Sequence, residues 1–548
     1  MLSRAAILAW FEGFFTIQRT IPEARKRSDD AMRRGPTPDE TTYEGARVLY
    51  SRGCFPRDSA RKMGAFVEFE TVIGLEIHAQ VLTRSKMYCG CSSDYANAAP
   101  NTHTCPVCLG LPGVLPVINR AAVRETIMTG LALGCEIPGF NKFDRKNYIY
   151  PDLPKGYQVS QYDLPMAVAG WVDIEVNGAR RRIGITRVHL EEDTGRLLHR
   201  NDSTVDYSLV DLNRSGVPLM EIVSDPDLRS PEEAREYLMI MRQLLRYIGA
   251  STANMEEGQF RCDANVSQRS LNGTVVGPKV EIKNMNSFRA VERALQFEVE
   301  RQRAALMLGE TLVQETRGWI DDPGVTVGQR SKEFAHDYRY FPEPDLPPLE
   351  ISREMVEDIY STMPELPAVR RNRFVQEFGL SASDAALITE EVTTADYYER
   401  AVAAAGGHHR DIAKWLTTEV FSMARSRGGF ENLSLNPEQL AEVVVMVRQG
   451  EINAQAGKEV LVTVAESGQS ARAIVEERGL SQETDARRIR GIVEDVLAHN
   501  PAALADYHQG KQAAVGFLIG QVMKQMKGTG NPAIVRQVVS EILDGDSS

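Results

Sequence analysis

The sequence predicts an α+β protein, a mostly antiparallel sheet domain followed by all-helical domains. Three observations predict it. Between residues 66 and 348, short runs of alternating apolar and polar residues join through hairpin-like turns, and they outnumber the helical patterns. A proline-rich stretch, 341–348, closes that region. Beyond it the apolar residues recur at helical spacing almost to the end of the chain.

Composition narrows the class. At roughly 150 residues per domain, 548 residues make about three or four domains. Hydrophobic residues at 43% and charged residues at 25% exclude a disordered or fibrous chain. No apolar run approaches the roughly 18 residues of a membrane span, so no membrane is expected. With 75 acids against 63 bases the formal charge is -12, which argues against a nonspecific DNA coat and leaves nucleic acid to local basic patches. Four of the seven cysteines crowd into residues 89–108. That pattern predicts one metal site and a reducing, cytoplasmic setting rather than a disulfide scaffold.

In chain order, residues 1–65 read as a weakly ordered N-terminal extension. Its apolar segment 5–15 is broken by Glu12, no small-residue cleavage site follows, and the mixed-charge stretch 23–44 has no period. A start-site artefact and an Arg-rich targeting peptide are the alternatives, and the many acids count against the second. The sheet domain spans 66–348, with strands expected at 69–79, 181–193, 259–267 and 279–284. Ser230-Pro-Glu-Glu233 has the form of a capping box opening a helix to about Ile248. A second helix is expected over 288–308, stopped by Gly309. A helical domain follows over 349–479, then a small helical module over 480–548.

Cys89-Gly-Cys91 and Cys105-Pro-Val-Cys108 are two tight turns of two thiols each. Four thiolates in a tetrahedron suit Zn²⁺, and four protein ligands leave no open position, so the zinc is expected to be structural. Such a knuckle does not by itself say what the protein does.

The strands carry a second pattern. Glu76 and His78 are two apart and share one strand face, while Ile73, Leu75 and Ile77 form the other, apolar face. His189, Glu191, Glu192 and Asp193 fall within five residues, Arg261, Asp263 and Asn265 alternate, and Glu281 and Lys283 alternate with apolar neighbours. A charged strand residue is usually just solvated. Several strands each bringing a carboxylate would repel one another unless cations lie between them. Carboxylates with a His are hard ligands suited to Mg²⁺ and nucleotide phosphates. There is no Gly-x4-Gly-Lys-Ser/Thr loop, so ATP would have to bind on the sheet instead.

From about Phe69 to the C-terminus the chain resembles the B subunits of the aspartyl/glutamyl-tRNA(Asn/Gln) amidotransferases. The resemblance rests on Glu70-Thr-Val-Ile-Gly-Leu-Glu-Ile-His78, Arg145-Lys-Asn-Tyr-Ile-Tyr-Pro-Asp-Leu-Pro-Lys-Gly-Tyr-Gln158 and Ile185-Thr-Arg-Val-His-Leu-Glu-Glu-Asp193. It continues through Val210-Asp-Leu-Asn-Arg-Ser-Gly-Val-Pro-Leu219, Arg261-Cys-Asp-Ala-Asn265 and Asp337-Tyr-Arg-Tyr-Phe-Pro-Glu-Pro-Asp345. It implies a cradle-shaped antiparallel sheet resembling glutamine synthetase, a helical domain and a tRNA-contacting tail. It implies a kinase that uses ATP and Mg²⁺ to phosphorylate the side-chain carboxylate of Glu misacylated on tRNA(Gln), or Asp on tRNA(Asn). Ammonia then arrives through a tunnel from a glutaminase A subunit and displaces the phosphate, and a small C subunit completes a heterotrimer.

By the same resemblance Glu76, His78, Glu191, Glu192, Asp263 and Glu281 lie at or near the metal site, with Glu76, His78, Glu191 and Asp263 as Mg²⁺ ligands. Glu191 and Glu192 point to opposite faces of a regular strand, which leaves open which one binds directly. Lys155, Arg214, Lys332 and Arg339 are implied near the substrate. In the tail, Lys511, Lys524, Lys527 and Arg536 lie in a stretch without acids and are implied at the tRNA. A ligase acting on free glutamate and a noncatalytic zinc-containing tRNA-binding protein are the competing readings. An assay with free glutamate against glutamyl-tRNA separates the first. The presence of the acids on the strands disfavours the second. Because residues 1–62 lack periodicity, a chain beginning at Met63 should fold and support transamidation as well as the full chain. A large loss of either on truncation would show that the extension has a role.

Overall fold

The computed structural model describes residues 68–201, 206–271, 275–331, 338–483, 485–508, 511, 513–526 and 529–545. The expected extension 1–65, Lys332 and Lys527 lie outside them.

Eight strands make the main sheet: β1 (Phe69–Gln80), β2 (Ala167–Val176), β3 (Ala179–Glu192), β4 (Pro218–Ser224), β5 (Phe260–Ser270), β6 (Val280–Lys283), β7 (Glu315–Ile320) and β8 (Val325–Ser331). Their order is β8-β7-β6-β5-β1-β4-β3-β2. Every neighbouring pair is antiparallel except β6 and β7. The expectation of a mostly antiparallel sheet therefore needs one amendment. The link from β6 to β7 contains a long helix, and a crossover of that length returns the chain parallel to the strand it left.

Three helices accompany the sheet: α1 (Arg120–Ala132), α2 (Pro231–Tyr247) and α3 (Phe288–Met307). Ser230 caps α2 by accepting from the Glu233 amide at 3.2 Å. The reciprocal half of the expected capping box is displaced by one residue, because the Glu233 carboxylate accepts from the Arg229 amide at 2.7 Å. Ser287 caps α3 in the same manner, and Gly309, at φ +74°, follows its end. A side chain there would be strained, which is why the helix stops.

Along β1 the alternation is complete. Ile73, Leu75 and Ile77 are at most 1% exposed, and they join Leu238, Met241 and Leu245 of α2 and Val291 and Leu295 of α3 in one apolar cluster. Each such side chain contributes roughly 1.5–3 kcal/mol on burial. The opposite face of β1 is thereby freed for Glu76 and His78. The cluster reaches past the proline-rich stretch: helix Arg353–Ser361 contributes Ile359 to it. Two further apolar clusters among the described residues lie wholly in helices and their connections, one from Phe374 to Val475 and one from Ile489 to Leu543.

One irregularity in β3 bears on the site. Ile183 and Ile185 are buried, but the register against β4 slips between Ile185 and Arg187, and from there Val188 and Leu190 take the buried face. Ala169, on the adjoining strand β2, has φ +55° at the same level. A bulge of this kind inverts the parity of every later side chain.

Gly130 in α1 tests the packing. Glycine to alanine within a helix is ordinarily favourable by about 1 kcal/mol. A β-carbon on Gly130, however, would stand 2.6 Å from Ala167 Cβ and 2.9 Å from Ile137 Cδ1. Overpacking should win, and Gly130→Ala should destabilise the sheet unit by about 1–3 kcal/mol in urea denaturation.

Candidate functional site

Three rungs of the sheet bring the acids together. His189, Glu221, His78 and Arg261 stand side by side across β3, β4, β1 and β5. Glu76 stands opposite Asp263 in the next rung on that face, and in the third Gly74, Asn265, Glu281 and Thr316 follow one another. Directly opposed residues share a face, and so do residues two apart along a strand. The result is an open cleft of about 590 Å³ lined by these groups except Gly74 and Asn265, within the range of roughly 300–1,000 Å³ usual for small-ligand sites.

His78 Nε2 lies 3.5 Å from Glu191 Oε1 and 3.4 Å from Glu221 Oε2, and His189 Nε2 lies 3.2 Å from the same Glu221 oxygen. Burial works against an imidazolium at His78. The charge and hydrogen bond of Glu221, then the charge of Glu191, outweigh it and raise its pKa. Burial likewise opposes charge on Glu221, yet His189 and His78 hold its carboxyl well below the usual range. On the next rungs Asn265 Nδ2 donates to Glu76 Oε1 at 2.9 Å, Lys283 Nζ to Asp263 Oδ2 at 2.5 Å, and Thr316 Oγ1 to Glu281 Oε2 at 2.8 Å.

A small sheet supplies the wall. Phe341–Pro342 pairs with Asp144–Asn147, which pairs with Tyr157–Ser160. It carries Lys146, whose Nζ lies 5.1 Å from the Tyr338 ring centroid, and beside it Tyr162 and Tyr340 stack at 4.3 Å. Burial opposes the Lys146 ammonium, but the charge of Glu191, followed by other groups of the cleft, raises its pKa. Among the described residues Lys146 makes no ion pair.

The donor set fits a hard cation. Ligand atoms of His78, Glu191 and Glu221 lie within 4.8 Å of one another. Glu191 is 1% exposed, and its Oε2 has no hydrogen-bond partner among the described residues, nor has His189 Nδ1. A buried carboxylate oxygen without a donor is costly unless something else meets it.

The sequence-predicted residues separate into groups. Glu76, His78, Glu191, Asp263 and Glu281 are together in the cleft. Glu192 is not: it faces the other side of β3, ion-paired to Lys155 and accepting from the Val159 amide at 3.0 Å. The bulge is the physical reason, since it puts Glu192 in phase with Val188 and Leu190. Lys155 is thus away from the cleft too, in a pocket of about 190 Å³ that also touches Cys89 and Cys108. Arg214 is tied to the segment that follows β3, donating to the Thr194 and Gly195 carbonyls at 2.9 and 2.6 Å. The Arg339 side chain is exposed, and its carbonyl accepts from Asn147 at 2.8 Å while Tyr338 and Tyr340 on either side line the cleft. In the tail, Lys524 and Arg536 are exposed on helices Ala513–Gln525 and Pro532–Gly545, and Lys511 pairs with Asp506 at 2.7 Å.

Sequence reasoning missed Glu221 and the roles of Lys146, Tyr338 and Tyr340. Glu221 carried the same signal as Glu76, one acid within an apolar strand, in Pro218-Leu-Met-Glu-Ile-Val-Ser224.

The four cysteine sulfurs of the knuckle converge within 4.8 Å of one another and form no disulfide. The Cys105 amide points to Cys108 Sγ at 3.1 Å, and Lys86 Nζ lies 3.7 Å from that sulfur. Hydrogen bonding from Cys89 leads the influences that draw the Cys108 thiol down. Such a cluster could hold a metal ion.

Acids and imidazoles on one face of the main sheet, with cations beside them, could hold a metal cation and an anionic ligand. Residues 71–357 match the GatB/GatE catalytic domain and residues 396–543 the GatB domain. The chain belongs to the family of aspartyl/glutamyl-tRNA(Asn/Gln) amidotransferase B subunits. It is 59% identical over 478 residues to the B subunit of Thermomicrobium roseum, covering 87% of this chain and 99% of that one. The corresponding proteins of Roseiflexus castenholzii and Thermodesulfovibrio yellowstonii are 51% and 48% identical, with 87% of this chain and 99% and 100% of theirs covered.

Proposed function

We propose that this chain is the ATP-using subunit of a glutamine-dependent amidotransferase acting on Glu-tRNA(Gln), Asp-tRNA(Asn) or both. The observation that carries the reading is the cleft: a buried Glu191 oxygen without a donor, beside His78 and Glu221, in a chain of this family. A side-chain carboxylate is a poor electrophile, because ammonia cannot expel oxide from it. In the proposed reaction a carboxylate oxygen of the misacylated residue attacks the γ-phosphorus of ATP, and ADP leaves. Ammonia from a partner glutaminase subunit then attacks the acyl carbon. Inorganic phosphate departs with the C–O bond, and a proton lost from nitrogen leaves the amide.

His78, Glu191 and Glu221, with Glu76 and Asp263 on the next rung, would hold Mg²⁺. Bound there, the ion would offset charge on the phosphoryl oxygens. Lys146 and Arg261 add fixed positive charge at the same face, and the Tyr338–Tyr340–Tyr162 wall limits the water that could hydrolyse the acyl phosphate. The likeness of the sheet to a glutamine synthetase cradle, a small third subunit in the complex and a cytoplasmic location belong to the same proposal. Among the described residues no helix is long and apolar enough to cross a membrane. The exposed Lys524 and Arg536 make the tail module the proposed tRNA contact.

The knuckle is proposed to hold one structural Zn²⁺. Metal analysis should return about one zinc per chain, lost in the Cys105→Ser/Cys108→Ser double variant. Fully folded wild-type protein without zinc would overturn this.

The kinase step is tested by His78→Ala and Asp263→Asn in the assembled complex. Phosphate release with glutamyl-tRNA(Gln) should fall by about 10² or more. Filter binding of the same tRNA should persist, and free glutamate should not replace the tRNA. Near-normal ATP cleavage in both variants would put the reaction elsewhere.

A further inference from the structure

The acid that follows Glu192 is the meeting point of a separate network. Asp193 is 2% exposed. Its Oδ2 accepts from Gln80 Nε2 at 2.8 Å and lies 3.6 Å from Arg214 Nε. Its Oδ1 accepts from Arg261 Nη2 at 3.1 Å and from the Thr194 amide at 2.9 Å. Gln80 ends β1, and its side-chain amide meets the Tyr95 hydroxyl, with Nε2 at 2.9 Å and Oε1 at 3.1 Å from it. Tyr95 lies in the loop between Cys91 and Cys105. An unbroken series of hydrogen bonds thus runs from Tyr95, four residues past Cys91 in the chain, through Gln80 and Asp193 to Arg261.

Arg261 ends that series in the cleft, which Asp193 also lines, and stands opposite His78 in the rung of candidate metal ligands. A guanidinium offers five N–H donors in a rigid fork suited to two phosphoryl oxygens. Asp193 engages one of its nitrogens, which fixes the plane and leaves other donors for a ligand. Burying a carboxylate is costly unless cations and donors surround it, and here two arginines, an amide side chain and a backbone N–H do so.

We propose that Asp193, backed by Gln80 and Tyr95, is a positioning residue that sets the Arg261 guanidinium for the phosphoryl oxygens of the nucleotide. The proposal rests on the ATP-dependent reading above.

The test uses the assembled complex and equilibrium binding of a non-hydrolysable ATP analogue with Mg²⁺, alongside the KM for ATP in tRNA-dependent phosphate release. Asp193→Asn keeps the size of the side chain and removes its charge. It should weaken analogue binding and raise the KM for ATP by about tenfold or more, as expected for a lost charge-assisted hydrogen bond. The KM for aminoacyl-tRNA should not move. In an Arg261→Met background, Asp193→Asn should have no further effect on nucleotide affinity, because the group it acts through is gone. Tyr95→Phe should shift affinity in the same direction by about two- to fivefold, and only when Arg261 is present. Equal effects of Asp193→Asn with and without Arg261 would overturn the proposal and leave Asp193 a purely structural acid. If Asp193→Asn fails to fold, Tyr95→Phe and Gln80→Leu with and without Arg261→Met decide by the same criterion. His78→Ala separates the two levels. If it leaves ATP cleavage intact, the parent reading fails. If it is inactive while the Arg261 pairs are additive, only the positioning role fails.

Discussion

One imidazole between two buried carboxylates sets the terms for the rest of the sheet. Glu191 and Glu221 both approach His78, and without a cation between them their charges would repel strongly in an environment poor in water. Such a cluster persists only where the backbone is fixed independently of it. The same strands provide that support from their other face: Ile73, Leu75 and Ile77 under His78, Val188 and Leu190 beside Glu191, Met220 and Ile222 flanking Glu221, all within 1% of complete burial. Each strand therefore carries apolar side chains that stabilise the fold and acids that strain it, one residue apart. Cations complete the balance, with Lys283 on Asp263, Arg261 opposite His78, and the Lys146 charge felt by Glu191 and Glu221.

Much of this was legible in the sequence because strand alternation is a local property. The positions of Glu76, His78 and Asp263 on polar faces follow from residues within two or three places of each. The helix over 231–247 announced itself by the capping sequence at Ser230, and the helix over 288–307 by the Gly309 that stops it. What was not legible depends on partners far away in the chain. Glu221 meets His78 only because β4 pairs with β1 in one particular register, and nothing between residues 78 and 221 states that register. The parallel β6–β7 pair likewise follows from where α3 returns the chain. The resemblance implies Lys155 and Arg214 near the substrate, and only the fold shows that Glu192 and two carbonyl oxygens already engage them. Helix Arg353–Ser361 reads as the start of the helical region and yet contributes Ile359 to the sheet's own cluster.

The two polar regions of the sheet domain differ in kind. The cleft is open, oxygen-rich and crossed by side chains that retain unused donors and acceptors. The pocket beside the knuckle is small and lined by sulfur, Lys86 and the Lys155–Glu192 pair. If both groups take metals as proposed, soft ligands on one side and hard ligands on the other would sort two different ions by chemistry alone, without selection by size.

The bulge in β3 makes chain length, and not only residue identity, a determinant of the site. Glu191 and Glu192 have the same side chain, and only the slip between Ile185 and Arg187 decides which of them enters the cleft. Gaining or losing a single residue between the bulge and Glu191 would exchange the two glutamates between faces while hardly altering the composition. The number of residues between the bulge and Glu191 is thus a requirement of the site in its own right, one that a comparison scored by identity alone would not register.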